Sequence, residues 1–492
     1  MDKEKRIRQV ADAKSNYLLS IQESSASARL ISLFDDGTFK STGTFISSKP
    51  YDCESDGKQP KLEGVITGYG LIDGRLVFAY SQDYSNLNGA MSCVAAEKIV
   101  ALYDLAAKNG APVISFLDSS GARIAEGTDI LAAYGKIIKK AASLSGIITQ
   151  IAVVCGPCTG AMSIVAHSAD YIIVNEKKGS LYLIPPSVVK SVTGEESGSA
   201  NDACLNGFAA RVCKDDAECT ACARELMSYL PANNIEGPVY TCECTDDLNR
   251  ATSVISSISD LDTIDIESVL SDIADNGKFF EVSQSYGADI RCGFLSLAGL
   301  TIGFAASDIK VNDGYTSVEA CKKTARHINY CDAFGIPFLT IVNSNGFSET
   351  SNNAGDVAKL AASYASATIP CVTLNLGKAY GSLFTVMGSK SVGCDLAFAV
   401  DFAEISVMSA EKAVNFIWHD RIDGTEQSQK TREELYEEWN TEMASPLRSA
   451  HGGNIDDVIS GDDTRVVLIG SFEMLSSKSE MTPTRKRSNL PL

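Results

Sequence analysis

Apolar residues recur along this chain in two rhythms. Residues 64–80 carry a hairpin pattern, strand-forming residues on either side of Asp73-Gly74, a dipeptide suited to a tight two-residue turn. Over 95–108 and 317–333 the apolar residues return at helical spacing. Short apolar runs follow at 112–117 and 337–342, then at 148–154 and 370–376, and finally at 171–174 and 396–400. Runs of that length, set between helical patterns, predict buried strands. The first two runs of each series lead into loops of small residues that open helices. Strand and helix alternation of this kind predicts a layered α/β fold, with largely parallel strands joined by crossover helices.

The same order occurs twice. KNGAPVISFLDSSG at 108–121 is matched by AFGIPFLTIVNSNG at 333–346, so that Gly110, Pro112 and Gly121 pair with Gly335, Pro337 and Gly346 at an offset of 225. That offset also relates Lys98 to Lys323, Gly74 to Gly299, Asp170 to Asp395 and Val189 to Val414. Only the glycine loop slips, with Gly156 and Gly160 pairing with Gly377 and Gly381 at 221, which a small indel explains. The chain reads as two copies of one unit. The expected domains are 1–245 and 266–492, separated by a polar stretch at 245–265 rich in Asp, Ser and Thr.

Composition narrows the function classes. Hydrophobic residues make up 45% of the 492 and charged residues 21%, as in a globular protein with a substantial core. Lys and Arg number 43 against 62 Asp and Glu, a net charge of −19. Such a balance argues against a nucleic-acid binder, which needs a basic face, and against a polybasic membrane-surface protein. The N-terminal residues contain no apolar signal segment, and no run of about 18 uncharged apolar residues stands out as a membrane span. A cytoplasmic protein is expected. The 15 cysteines are scattered and odd in number, as reduced core residues are. Cys219 and Cys222, followed by Cys242 and Cys244, loosely resemble zinc-ribbon spacing. The first pair lies in a helical stretch, 216–230, and the second is C-x-C, so no metal site is expected. The four histidines are far apart and show no ligand spacing.

The candidate chemistry sits just after the strands. Asp118-Ser119-Ser120-Gly121-Ala122-Arg123 follows one run and Gly156-Pro157-Cys158-Thr159-Gly160-Ala161 the next. In the second copy the loops are Asn343-Ser344-Asn345-Gly346-Phe347 and Gly377-Lys378-Ala379-Tyr380-Gly381-Ser382. Free backbone N–H groups at helix starts stabilise negative charge, and two such loops side by side supply the paired donors of an oxyanion hole. Each copy therefore offers one candidate oxyanion site. A plainer reading of the same glycines, as tight turns and close packing, stays open for each loop taken alone. There is no Walker A motif, no H-E-x-x-H, no dinucleotide fingerprint and no local Ser/His/Asp or Cys/His pattern. The chemistry must rest on backbone donors or on a cofactor delivered from elsewhere.

At these residues the sequence resembles the carboxyltransferase subunits of biotin-dependent acyl-CoA carboxylases and decarboxylases, of the propionyl-CoA carboxylase β and methylmalonyl-CoA decarboxylase α type. The likeness runs from about residue 27 to the C-terminus, carried by 64–83, 118–127, 156–161, 185–196, 228–234, 331–337, 377–381 and 482–492. It implies a duplicated crotonase-like fold, with acyl-CoA bound by the N-terminal copy and carboxybiotin, on a separate carrier protein, by the C-terminal copy. It also implies a homohexamer built as a trimer of dimers, no metal, and partner subunits for biotin carboxylation or membrane decarboxylation. No Met is followed by Lys, so the chain holds no biotin-attachment motif of its own. Carried over residue by residue, the resemblance places the catalytic donors at Gly160, Ala161, Gly381 and Ser382. Acyl-CoA contacts fall to Gly121, Ala122, Arg123 and Lys190, and biotin contacts to Gly346, Phe347 and Leu383. Arg123 and Lys190 are candidate partners of the CoA phosphates, with a local ion pair as the plainer alternative. Gly160-Ala161 stands where the family usually has Gly-Gly, and Gly381-Ser382-Leu383 where it has Gly-Gly-Ala. Two other readings stay open: a non-catalytic scaffold subunit that kept the fold, and a crotonase-type hydratase or isomerase. The latter needs a placed carboxylate, for which Glu126 is the nearest candidate.

Overall fold

The computed structural model describes residues 3–22, 24–47, 63–195, 197–240, 244–348, 354–421 and 428–480. The basic segment Arg485-Lys486-Arg487 and Cys242 lie outside the described residues. Two compact units divide the chain, Met1–Glu236 and Gly237–Leu492. The division falls earlier than the polar stretch expected to separate them. That stretch belongs to the second unit because Ile255 and Ile264 sit in its core, with Val254, Ile258 and Leu261 packed against it. Arg250 also ties it down by donating to the carbonyls of Asp272 and Ala274.

The first unit is built on strands β1 (Lys40–Thr42), β2 (Val65–Ile72), β3 (Arg75–Gln82), β4 (Val113–Ser119), β5 (Gln150–Thr159), β6 (Tyr171–Asn175), β7 (Ser180–Tyr182) and β8 (Arg211–Cys213). They form one sheet in the order β1-β2-β3-β4-β5-β6-β8, with β7 added to the far end of β5. The β1–β2 and β2–β3 pairs are antiparallel and the rest parallel. The expected hairpin is β2–β3, closed where Ile72 faces Arg75, with Asp73 at φ 50° and Gly74 at φ 75° as a two-residue primed turn needs.

The second unit repeats this with β9 (Phe279–Val282), β10 (Ile290–Leu297), β11 (Leu300–Ser307), β12 (Phe338–Ser344), β13 (Cys371–Tyr380), β14 (Leu396–Val400), β15 (Glu404–Ser406) and β16 (Asp457–Ile459), ordered β16-β14-β13-β12-β11-β10-β9 with β15 on β13. Strands β2, β3, β4 and β6 start 225 positions before β10, β11, β12 and β14. The left-handed positions repeat as well: Gly121 at φ 122° answers Gly346 at 118°, and Gly160 at 58° answers Gly381 at 62°.

Crossover helices pack on each sheet because their apolar faces need cover. Helix Cys93–Asn109 starts where the Ser92 hydroxyl accepts from Ala95 N–H, and helix Val318–Ala333 where Ser317 accepts from Ala320 N–H. Strands β4 and β12 are buried at every residue, as central parallel strands are. No described helix is long and apolar enough to cross a membrane.

Candidate active site

In both units the site forms where the two central strands lose register. β4 and β5 run in step as far as Leu117, then shift so that Ser119 faces Cys158; β12 and β13 shift in the same way between Val342 and Ser344. The glycine loop expected at 156–161 is therefore strand over its first four residues: β5 runs on to Thr159, where β7 pairs with it. Gly156 makes this possible. A Cβ there would lie 2.0 Å from Asp118 Oδ1, and one on Gly377 would lie 2.4 Å from Asn343 Oδ1.

The loop after β4 is held from below by backbone bonds. Met91 N–H donates to Gly121 O at 2.9 Å, and Arg123 N–H donates to Met91 O at 2.9 Å. Ala122 lies between these bonds, so its N–H points the opposite way and has no partner among the described residues. In the second unit Thr316 N–H donates to Gly346 O at 2.8 Å and Ser348 N–H to Thr316 O at 2.9 Å, which leaves Phe347 N–H open in the same manner.

The second donor of each pair comes from the turn after β5 or β13. Here the structure corrects the sequence reading. The N–H of Gly160 is engaged, donating to Tyr182 O at 3.0 Å, and that of Gly381 donates to Ser406 O at 2.9 Å. Both glycines act through their positive φ, which swings the next peptide outward. The open N–H groups are those of Ala161 and Ser382, the first residues of helices Ala161–His167 and Ser382–Val386. Likewise Gly121 N–H donates to Ser119 Oγ at 3.2 Å and Gly346 N–H to Ser344 Oγ at 3.3 Å, so neither glycine is itself a donor to a ligand. The loops lie close together: a Cβ on Gly121 would be 3.2 Å from Thr159 Oγ1.

Three further expectations are placed by the side chains. Arg123 is paired in bidentate fashion with Glu63, at 3.1 and 2.9 Å, and its Nε donates to Ala90 O. Its guanidinium thus clamps the donor loop to the segment before β2. Lys190 lies on helix Pro186–Thr193, which has no buried residue. Leu383 is fully buried and does not line the cleft, because the second position of its short helix faces the core. Glu126 is also committed: it is buried, and its Oε2 accepts the N–H of Cys93 at 2.6 Å, capping a helix. Cys158 is a fully buried core residue, its thiol pushed up by burial.

Beneath the first loop, Asp118 meets Arg29 at 2.9 Å, and Arg29 reaches on to Asp216 at 2.7 Å. Burial raises the Asp118 carboxyl, against the pull of Arg29. The second unit has neutral Asn343 in this place, its Oδ1 accepting from Lys378 N–H. Cys219 and Cys222 turn toward Cys213 in β8, whose thiol is drawn down by hydrogen bonds from both.

In the second unit the open donors face a cleft of about 860 Å³. Gly346, Phe347, Gly381 and Ser382 line it together with Tyr380 of the same candidate loop and with polar side chains that the sequence reading missed, among them Glu404 and Lys412. Comparing the two copies position by position was the one signal that could have found them.

Comparison with known proteins agrees with this geometry. A family model described as the carboxyl transferase domain matches residues 23–490. The methylmalonyl-CoA decarboxylase subunit alpha of Propionigenium modestum is 36% identical over 95% of this chain and 93% of its own. The propionyl-CoA carboxylase carboxyltransferase subunit of Haloferax mediterranei is 35% identical over the same shares. The crystal structure of transcarboxylase 12S, a hexamer with hydrolysed methylmalonyl-CoA bound, superimposes with a TM-score of 0.92 and 31% identity, covering 100% of this chain and 99% of that one. With its duplicated crotonase-like fold and paired backbone donors, the chain belongs to the carboxyl transferase domain family, and acyl-CoA carboxyl transfer is the activity that membership carries.

Proposed function

We propose that this protein is the carboxyltransferase subunit of a biotin-dependent acyl-CoA carboxylase or decarboxylase. It moves a carboxyl group between biotin on a separate carrier protein and the α-carbon of a short acyl-CoA: propionyl- or acetyl-CoA in one direction, methylmalonyl- or malonyl-CoA in the other. The observation that carries this reading is the repeated pair of open N–H groups, Ala122 with Ala161 and Phe347 with Ser382.

Each pair answers a chemical need. Carbanion character at the α-carbon of a thioester moves negative charge onto the thioester oxygen. Two N–H groups already aimed at that oxygen stabilise the charge without reorganising. We assign Ala122 and Ala161 to this oxygen. The cyclic urea of biotin presents one oxygen of the same kind, and we assign Phe347 and Ser382 to it. The cleft fits the ring chemically, since it combines two open donors with polar side chains and has room for a bicyclic ligand. Bound carboxybiotin supplies the carboxyl group and, once that group has left, a basic centre for the α-proton. The protein's residues orient the two oxygens, and no side-chain base is required of them.

Arg123 acts in this reading by holding the donor loop against Glu63, and Lys190 remains the candidate contact for a CoA phosphate. Exposed apolar side chains in the first unit, including Ile124, Leu131, Leu183, Ile184 and Val192, support assembly into a homohexamer. The direct test mixes purified protein with methylmalonyl-CoA or malonyl-CoA and free biotin, then follows biotin-dependent loss of CO2. Turnover that requires biotin is expected. A correctly assembled hexamer inert toward every short acyl-CoA would make the protein a scaffold instead.

A further inference from the structure

The two copies share their backbone donors but not their side chains, and one difference falls inside the cleft. In the second unit β15 pairs with β13 so that Lys378 faces Glu404 and Tyr380 faces Ser406. In the first unit the same register sets Pro157 against Ser180 and Thr159 against Tyr182. The second copy therefore sets a phenol and a carboxylate where the same positions of the first hold Thr159 and Ser180. Tyr380 donates its hydroxyl to Glu404 Oε2, and both residues line the cleft with Phe347 and Ser382. Glu404 is half-buried, and its Oε1 has no hydrogen-bond partner among the described residues. The other carboxylates of the cleft are differently placed. Asp262 is paired with Lys378 at 2.6 Å, Asp260 accepts from Asp262 N–H within its own turn, and Glu411 is exposed on the first turn of helix Ala410–Phe416.

An ionised carboxylate accepts hydrogen bonds and donates none. A cyclic urea is the complementary ligand, with one oxygen that accepts and two ring N–H groups that donate. When one ring nitrogen carries the carboxyl group, the other still has its N–H. An acceptor on one side of the oxygen pocket would then decide which nitrogen faces the acyl-CoA. We propose that Glu404, oriented by Tyr380, accepts the ring N–H on the non-reacting edge of the urea, so that the cleft reads biotin at both its oxygen and its nitrogen. Glu404 is a binding and specificity residue in this account, and Tyr380 a positioning residue. The inference rests on the biotin reading of the second-unit cleft.

The test measures binding as well as turnover. Direct titration with free biotin, and with biotin methylated on the non-reacting ring nitrogen, is compared in the wild-type protein, Glu404→Gln, Glu404→Ala and Tyr380→Phe. The wild type is expected to bind the methylated compound at least ~10-fold more weakly than biotin. Charge-assisted hydrogen bonds are about twice as strong as neutral ones, so Glu404→Gln, which keeps the shape, should weaken biotin by roughly 5- to 10-fold. Glu404→Ala removes the acceptor and makes room for the methyl group, and should bind the two compounds within about twofold of each other. Tyr380→Phe keeps the carboxylate and should still discriminate. In turnover, KM for biotin should rise in Glu404→Gln while KM for methylmalonyl-CoA stays within about twofold. Unchanged discrimination in Glu404→Ala would overturn the proposal, as would equal losses in Tyr380→Phe and Glu404→Gln, which would make the pair a staple between β15 and β13. A wild-type protein that neither binds biotin nor turns over any short acyl-CoA would instead sink the carboxyltransferase reading, and this inference with it.

Discussion

Single side chains in this protein are chosen by what they meet across the fold. Lys98 and Lys323 occupy equivalent places in the two helices that follow the hairpins, and both are buried. Lys98 donates to Val65 O and Lys323 to Ser283 O. Burial lowers both ammonium groups, Lys98 to about 8. In the unfolded chain the group titrates near its ordinary value, about 10.4. Between those values the unfolded state binds more protons than the folded one, so this lysine makes stability rise with pH from about 8 to 10.4. Below pH 8 the folded protein bears the full cost of a buried charge. Lys98→Met should remove that dependence. The melting temperature of the variant, compared with wild type at pH 7 and pH 10, is expected to gain relative to wild type at the lower pH. An equal difference at both values would show that Lys98 stays charged when buried.

Elements matter here mainly through their ends. The donor of each turn is the first N–H of a short helix, and the glycine before it supplies the unusual backbone while its own N–H is tied to β7 or β15. Proline is tolerated at the first position of a helix because its missing N–H would have had no partner inside the helix. Ala161→Pro therefore deletes the proposed oxyanion donor while keeping the helix. Loss of one such donor costs about 100- to 1,000-fold in kcat. That fall is expected for Ala161→Pro, with circular dichroism and melting temperature close to wild type. Activity within about tenfold of wild type would remove Ala161 from the catalytic account.

At the scale of the molecule, each copy carries its own core. Val113, Ile137 and Val174 belong to the first, and Phe304, Ile341 and Leu374 to the second. A unit with its own core is expected to fold alone. Residues 1–236 and 237–492, expressed separately, should each melt cooperatively. The first should bind methylmalonyl-CoA and the second free biotin, with no turnover by either. Failure of 237–492 to melt cooperatively would show that its core depends on the rest of the chain. For the whole chain, sedimentation should give six times the 52.3 kDa subunit mass.

Much of this protein is determined by its sequence alone. The hairpin, the crossover helices, the central strands and the 225-residue duplication all follow from periodicity and repetition, because burial patterns within an element are local. The tertiary structure decided what depends on register between distant segments. Gly160 and Gly381 read as donors together with Ala161 and Ser382, yet the three-residue strands β7 and β15, too short to leave a periodic signal, take the N–H groups of the two glycines and leave only those of Ala161 and Ser382 open. Arg123 read equally well as a phosphate ligand or an ion pair, until Glu63, 60 positions away, occupied both its arms. Leu383 looked like a ligand contact until its helix turned it into the core. Glu404 carried no motif at all; only the pairing of β15 with β13 set it beside Tyr380 in the cleft. A hydrogen bond belongs to two places in the chain at once, and the sequence shows each place without showing that they meet.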